Sequence, residues 1–225
     1  MYQTYIFDLD GTLLNTLQDL ANSVNYALQD NHMPTHSLDD IRRFVGNGVR
    51  RLMERAVPGG DTNPLFDATF ATFRHHYMQH SLDTTNPYEG IPEVIHALAQ
   101  KGCRLAVVSN KMMTATRELV THFFPEIKVA IGEHESAGIR KKPAPDTVYE
   151  ALRQLRTLHG EAPTDDVALL TAGAVYVGDC DVDLATARNS GLPCINVLWG
   201  FRDRNFLLAH GATCLIEKPE ELMLV

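Results

Sequence analysis

The sequence predicts an α/β fold: a doubly wound, mostly parallel sheet with a small all-helical insert after its first strand. Two features carry that expectation. From Ile91 onward, short apolar runs alternate with helical patterns, the rhythm of a parallel sheet covered on both faces. Between Asn15 and Thr85, by contrast, helical patterns follow one another with no convincing strand. A chain of 225 residues fits one or two domains at about 100–200 residues each. The division expected is 1–14 with 88–225 as core, and 15–87 as insert.

Thr4–Asp8 reads as the first strand. Leu17, Leu20, Ala21, Val24, Ala27 and Leu28 then share one helical face. Ser37-Leu38-Asp39-Asp40 resembles a capping box opening a second helix. "VGNGVRRLMERAV" is a Gly-rich turn feeding a third, and Asn63–Ser81 is a fourth, rich in Phe and His. Pro87, Gly90 and Pro92 break the pattern and mark the return to the core. There the expected order is helix Ile91–Gln100, strand Cys103–Ser109, helix Met112–His122, and a short strand Lys128–Ile131. Helix Pro145–Leu158, strand Ala174–Gly178, helix Asp181–Ser190 and strand Cys194–Leu198 come next. A weaker strand at Ala212–Ile216 and a terminal helix complete the series. His159–Ala172 is long for a helix-to-strand connection, usually about 2–6 residues; it is either a surface excursion or an extra helical turn.

Composition narrows the function classes. The chain is 44% hydrophobic and 21% charged, ordinary for a globular protein. A net charge of −8 argues against general affinity for nucleic acid or anionic membranes. No signal-like start is present, and no run approaches the roughly 20 apolar residues of a membrane span. Cys103, Cys180, Cys194 and Cys214 are scattered without a C-x-x-C pair, so reduced thiols and a cytoplasmic location are expected.

Ligands of a parallel sheet sit outside the carboxyl ends of its strands. In this order the strand ends offer Asp8-Leu9-Asp10-Gly11-Thr12, Ser109-Asn110 and the acidic run from Asp179, while "GIRKKPAPD" supplies Lys142. Acidic groups gathered at one rim repel unless a cation lies between them, and hard oxygen donors suit Mg²⁺.

The pattern D-x-D-G-T-L at Asp8–Leu13, Ser109-Asn110, K-P-x-P at Lys142–Pro145 and G-D-x-x-x-D at Gly178–Asp183 resembles the haloacid dehalogenase-like superfamily. Within it, the chain is similar to the phosphoglycolate phosphatase group. The four elements occur in order across nearly the whole chain, and "RRFVGNGVRRLMERAV" resembles the helical cap of that group. The resemblance implies a Rossmann-like core and a Mg²⁺-dependent phosphatase acting on a small phosphorylated metabolite, as a monomer or homodimer. It implies Asp8 as nucleophile and Asp10 as acid and base, with Gly11 permitting the turn that aims Asp10. Asp8, the Asp10 carbonyl and Asp179 would hold the metal, with Asp183 a ligand or a support. Lys142 and Ser109 would meet the phosphoryl oxygens, and Gly11 and Asn110 would line the substrate site.

Two readings stand open for Gly46–Arg50. Gly46, Asn47 and Arg50 either close over a substrate carboxylate, or the glycines only start a helix and the arginines face water. Asp181 is read as a helix N-terminal charge and Cys180 as a packing residue; His76 and His80, four apart on one helix, are a possible metal pair with no carboxylate partner in evidence. The chain departs from the group at Asn15-Thr16, where Asp-Ser is common, and at Cys180, where a small hydroxyl is usual. Asp10 and the Asp179/Asp183 pair argue against dehalogenation, and the absence of lysine from Met1 to Gln100 removes a cap Schiff base. Sugar-phosphate hydrolysis, a phosphotransferase like β-phosphoglucomutase, and a non-catalytic phospho-ligand or protein-binding module remain alternatives.

Overall fold

The computed structural model describes residues 2–135 and 138–224. They divide into two compact units, Leu14–Asn86 and Met1–Leu13 with Pro87–Val225.

The larger unit is built on a six-stranded sheet. Its strands are β1 (Thr4–Phe7), β4 (Arg104–Met112), β5 (Val129–Glu133), β6 (Ala174–Gly178), β7 (Cys194–Val197) and β8 (Leu215–Ile216), in the spatial order β5-β4-β1-β6-β7-β8. Neighbouring strands pair in parallel. Connections after β1 build outward in both directions, which is the doubly wound topology. β1 is central, and Tyr5, Ile6 and Phe7 are fully buried. Ile6, Val108, Ile131 and Tyr176 share one core with Val148, Leu152 and Leu155 of helix α7 (Asp146–Leu158). Each such side chain contributes about 1.5–3 kcal/mol by leaving water.

Register fixes where the chemistry can sit. Phe7 is level with Val107 on one side and Val177 on the other, and the Asp8 N–H donates to the Val177 carbonyl at 2.9 Å. The residues that follow β1 and β6, and those near the end of β4, therefore emerge at one rim.

Helices α5 (Ile91–Gln100), α6 (Met113–Phe123), α7 and α9 (Asp181–Ser190) fall where the sequence places them, within a residue or so. β4 differs: it runs three residues beyond Ser109, with a register shift between Val108 and Met112. The His159–Ala172 connection holds the extra helical turn, α8 (Val167–Thr171), capped by Asp166 accepting from the Ala168 and Leu169 N–H groups. Glu161 pins the same connection by pairing with Arg104 and Arg156. Two further differences lie near the C-terminus. Helix α10 (Arg204–Ala209), opened by Asp203 accepting from the Phe206 N–H at 2.8 Å, has no counterpart in the expected order. The terminal helix is a 3-10 turn, Pro219–Met223, and the last strand shortens to Leu215–Ile216.

The smaller unit is helical: α1 (Leu17–Asp30), α2 (Leu38–Phe44), α3 (Val49–Ala56) and α4 (Phe66–His80). The capping box opening α2 is present, Ser37 accepting from the Asp40 N–H and Asp40 from that of Ser37. Phe66, Phe70, Phe73 and Tyr77 stack in sequence along α4. Asp19, buried on α1, accepts from both the N–H and hydroxyl groups of Thr84 and Thr85. Strands β2 (Leu14–Asn15) and β3 (Asn86–Pro87) pair with each other. His76 and His80 stack, and their Nδ1 atoms meet Ser23 and Asp83 respectively. No helix of the described residues is long and apolar enough to cross a membrane.

Candidate active site

At the rim where β1, β4 and β6 end, Asp8, Lys142, Asp179 and Asp183 form one buried cluster. One oxygen from each of the three aspartates and the Cys180 Sγ lie within 4.8 Å of one another. Lys142 Nζ is 2.7 Å from Asp8 Oδ1 and 2.9 Å from Asp183 Oδ1, and donates to the Tyr176 hydroxyl at 3.0 Å. The sequence brings Lys142 there on the loop before α7. Arg140 clamps that loop by a two-pronged pair with Asp146. Asn110 donates to the Lys142 carbonyl at 3.0 Å and Asn189 to that of Pro143 at 2.8 Å.

Asp183 sits in the first turn of α9, and both its oxygens are engaged. Oδ1 accepts from Lys142 and Tyr176. Oδ2 accepts from the N–H groups of Asp179 and Cys180 and from the Cys180 thiol at 3.0 Å. Cys180 thus acts as the cap of α9 as well as packing there. Asp183 braces the Asp179 backbone and the lysine, and Asp181 shares its helix turn.

Close backbone approach makes the cluster possible. A Cβ on Gly11 (φ +87°) would lie 2.4 Å from Asp179 Oδ2, and one on Gly178 2.4 Å from Asp183 Cβ. Gly200 is the third such position, where a Cβ would come 2.4 Å from both Asp179 Cβ and the Gly11 carbonyl. The loop carrying Gly200 follows β7. It donates the Phe201 N–H to Asp179 Oδ2 at 2.6 Å and Trp199 Nε1 to the Thr12 carbonyl at 2.9 Å.

Electrostatics leave the cluster with an excess of negative charge. Three carboxylates face one ammonium in a medium where charge is costly. Burial, and then the charge of Asp183, push the Asp8 carboxyl up to about 7 against the pull of Lys142. Burial, with Asp183 and Asp8, raises Asp179 well above the usual carboxylate range. Burial alone would favour neutral lysine, but Asp183 and Asp8 outweigh it and hold Lys142 firmly protonated. A hard divalent cation would relieve the carboxylate excess. The donor set, chiefly aspartate oxygens, fits one of the Mg²⁺ kind.

Asp10, two residues on, points both oxygens at Lys111 Nζ, 2.8 and 3.2 Å away. Lys111 is buried at the irregular end of β4. Ser109 lies beside it, its Oγ accepting from the Lys111 N–H at 3.2 Å. Asn15 accepts from the Leu17 N–H at 3.4 Å and so helps to start α1.

Gly46, Asn47 and Arg50 belong to the helical unit. Gly46 has φ +124° and Gly48 φ +89°, a turn leading into α3. Asn47 Oδ1 accepts from Arg55 at 2.8 Å. Arg50, half-exposed, pairs with Glu54 at 3.3 Å and lies over the Phe66 ring at 5.0 Å.

Lys111, Tyr176 and the Gly200 loop were missed in the sequence. Lys111 follows Ser109-Asn110 directly, and a glycine comes just after the β7 strand end, so both carried a positional signal. Tyr176 had none, since an aromatic residue in a buried strand reads as core.

Comparison with known proteins places this geometry. The profile of the haloacid dehalogenase-like hydrolases matches residues 5–197. A phosphoglycolate phosphatase of Aquifex aeolicus is 30% identical over 198 residues, covering 87% of this chain and 84% of that one. One from Agrobacterium fabrum is 32% identical over 207 residues, covering 88% and 81%. A crystal structure from Lactobacillus delbrueckii subsp. bulgaricus, provisionally assigned as a phosphoglycolate phosphatase, superposes with a TM-score of 0.85 at 34% identity, covering 98% and 96%. With a buried aspartate cluster at the rim of a doubly wound sheet, and a profile match over most of its length, the chain belongs to the haloacid dehalogenase-like hydrolase family.

Proposed function

We propose that this chain is a Mg²⁺-dependent phosphatase of small phosphate monoesters, with 2-phosphoglycolate the leading substrate. One observation carries the reading: Asp8, Asp179 and Lys142 meet in a single buried cluster whose carboxylates outnumber its cation. The similarity to phosphoglycolate phosphatases supports the substrate class.

Asp8 is the nucleophile in this reading. Its carboxylate oxygen bonds to phosphorus while the bond to the ester oxygen breaks, and the leaving oxygen takes a proton from Asp10. Asp10 then takes a proton from water as that water attacks the aspartyl-phosphate, releasing phosphate and restoring Asp8. Lys142 and the Ser109 hydroxyl meet the phosphoryl oxygens, where charge must be stabilised. Asp8, Asp179 and the Asp10 carbonyl would hold the metal, while Asp183, with both oxygens engaged, braces that set. When bound, the ion supplies positive charge that lets a phosphate dianion approach Asp8. Asn110 serves the site by holding Lys142. Gly46, Asn47 and Arg50 are assigned to the substrate carboxylate, with Arg50 exchanging Glu54 for it.

The test is phosphate release from 2-phosphoglycolate, sugar phosphates, nucleotides, pyrophosphate and p-nitrophenyl phosphate, with Mg²⁺ or chelator. Release is expected only with Mg²⁺, falling at least about 10³-fold in Asp8→Asn. Robust turnover by that variant would remove the covalent route. Arg50→Ala should raise KM for 2-phosphoglycolate and leave p-nitrophenyl phosphate unchanged; an equal effect on both would drop the carboxylate assignment.

A further inference from the structure

Tyr176 stands in the middle of β6, fully buried between Val175 and Val177. Phenylalanine would fill nearly the same volume there, and an unbonded hydroxyl in such a place is costly. The phenol oxygen is bonded on both sides. It accepts from Lys142 Nζ at 3.0 Å and donates to Asp183 Oδ1 at 3.0 Å. An ammonium has three protons to donate, and Lys142 has three acceptors within 3.0 Å: Asp8, Asp183 and Tyr176.

Two of those acceptors belong to the fixed frame of β6 and α9, and the third is Asp8. From this geometry we infer that Tyr176 is a positioning residue for Lys142, fixing the ammonium so that its remaining proton faces the phosphoryl group on Asp8. The inference rests on the phosphatase reading and deepens it. A lysine head on a four-carbon stem otherwise swings freely, and a displacement of about 1 Å at a reacting centre can cost on the order of 100-fold in rate. Asp183 alone gives a weaker hold. Its Oδ1 is a single point of attachment, and its Oδ2 is occupied by the Asp179 and Cys180 backbone and the Cys180 thiol.

Tyr176→Phe tests this directly, because the ring that packs is kept. With Mg²⁺, kcat for the best ester of the panel should fall about tenfold, while KM and the Mg²⁺ half-saturation stay within about twofold. An unchanged kcat would overturn the inference, as would a loss seen in KM or Mg²⁺ binding instead. A second measurement needs no turnover. In protein labelled with ¹⁵N-lysine, the Lys142 ammonium signal, identified by its loss in Lys142→Arg, should exchange with water far more slowly than those of exposed lysines, and faster in Tyr176→Phe than in wild type. If the Lys142 ammonium exchanges as fast as exposed lysines do, or equally fast in both proteins, the inference fails. Should wild type release phosphate from no ester, the phosphatase reading falls, and the ammonium signal still decides whether Tyr176 holds Lys142.

Discussion

At Asp10 both carboxylate oxygens face the Lys111 ammonium, while at Asp8 one oxygen meets Lys142. Two acids two residues apart thus have separate lysine partners, and in the proposed mechanism they have separate tasks. The Lys111 side chain is nearly inaccessible, so its removal leaves a largely buried carboxylate without its cation, which is costly. Lys111→Met should lower kcat by roughly 10- to 100-fold and leave Mg²⁺ half-saturation nearly unchanged, as steady-state kinetics across a Mg²⁺ series would show. A collapse of Mg²⁺ affinity would instead place Lys111 in service of the metal set. Lys111 stood beside the Ser109-Asn110 motif in the sequence, yet nothing local said where its side chain pointed. Lys111 lies within the register shift between Val108 and Met112, a property of β4 pairing with β5.

Among the elements, the loop after β7 does work that no motif announced. Its Phe201 N–H holds Asp179, its Trp199 indole holds the Thr12 carbonyl, and Gly200 lets both approach. Gly200→Ala would drive a methyl group into Asp179 and the Gly11 carbonyl. The expected result is a stability loss of about 1–3 kcal/mol with Mg²⁺ half-saturation raised at least tenfold. Denaturant unfolding and a Mg²⁺ titration of activity check these separately. Unaltered metal dependence would show that the loop does not fix Asp179. The same scale explains α10, which a capping Asp203 begins within a stretch too short for periodicity to reveal.

For the molecule as a whole, the acidic cluster sets a dependence of stability on pH. Asp8 has its folded value raised to about 7, and Asp179 is raised as well, whereas an unfolded aspartate titrates near 3.9. The folded state therefore holds more protons than the unfolded state through this interval. Stability then falls as pH rises from about 4 to 7, the reverse of a salt-bridged carboxylate. Metal-free protein should show a Tm several degrees lower at pH 8 than at pH 6 from this cluster. Millimolar Mg²⁺ should raise Tm more at pH 8, since at pH 6 protons compete for Asp8. Differential scanning calorimetry with chelator or Mg²⁺ measures both. A Mg²⁺ shift equal at the two pH values would mean that the ion does not bind through Asp8.

The sequence by itself determined the α/β class, the helical run after the first strand, and the family, through Asp8, Asp10, Ser109, Lys142, Asp179 and Asp183. It could do so because strand and helix periods, and residues at strand ends, are local properties of the chain. Only the tertiary structure decided which atoms meet. It gave both Asp183 oxygens to Lys142, Tyr176 and the α9 N-terminus, paired Asp10 with Lys111, and seated Gly200 against Asp179. Those partnerships join residues as far apart as Asp10 and Lys111, or Gly11 and Gly200, and depend on sheet order and register, which no single segment of sequence contains.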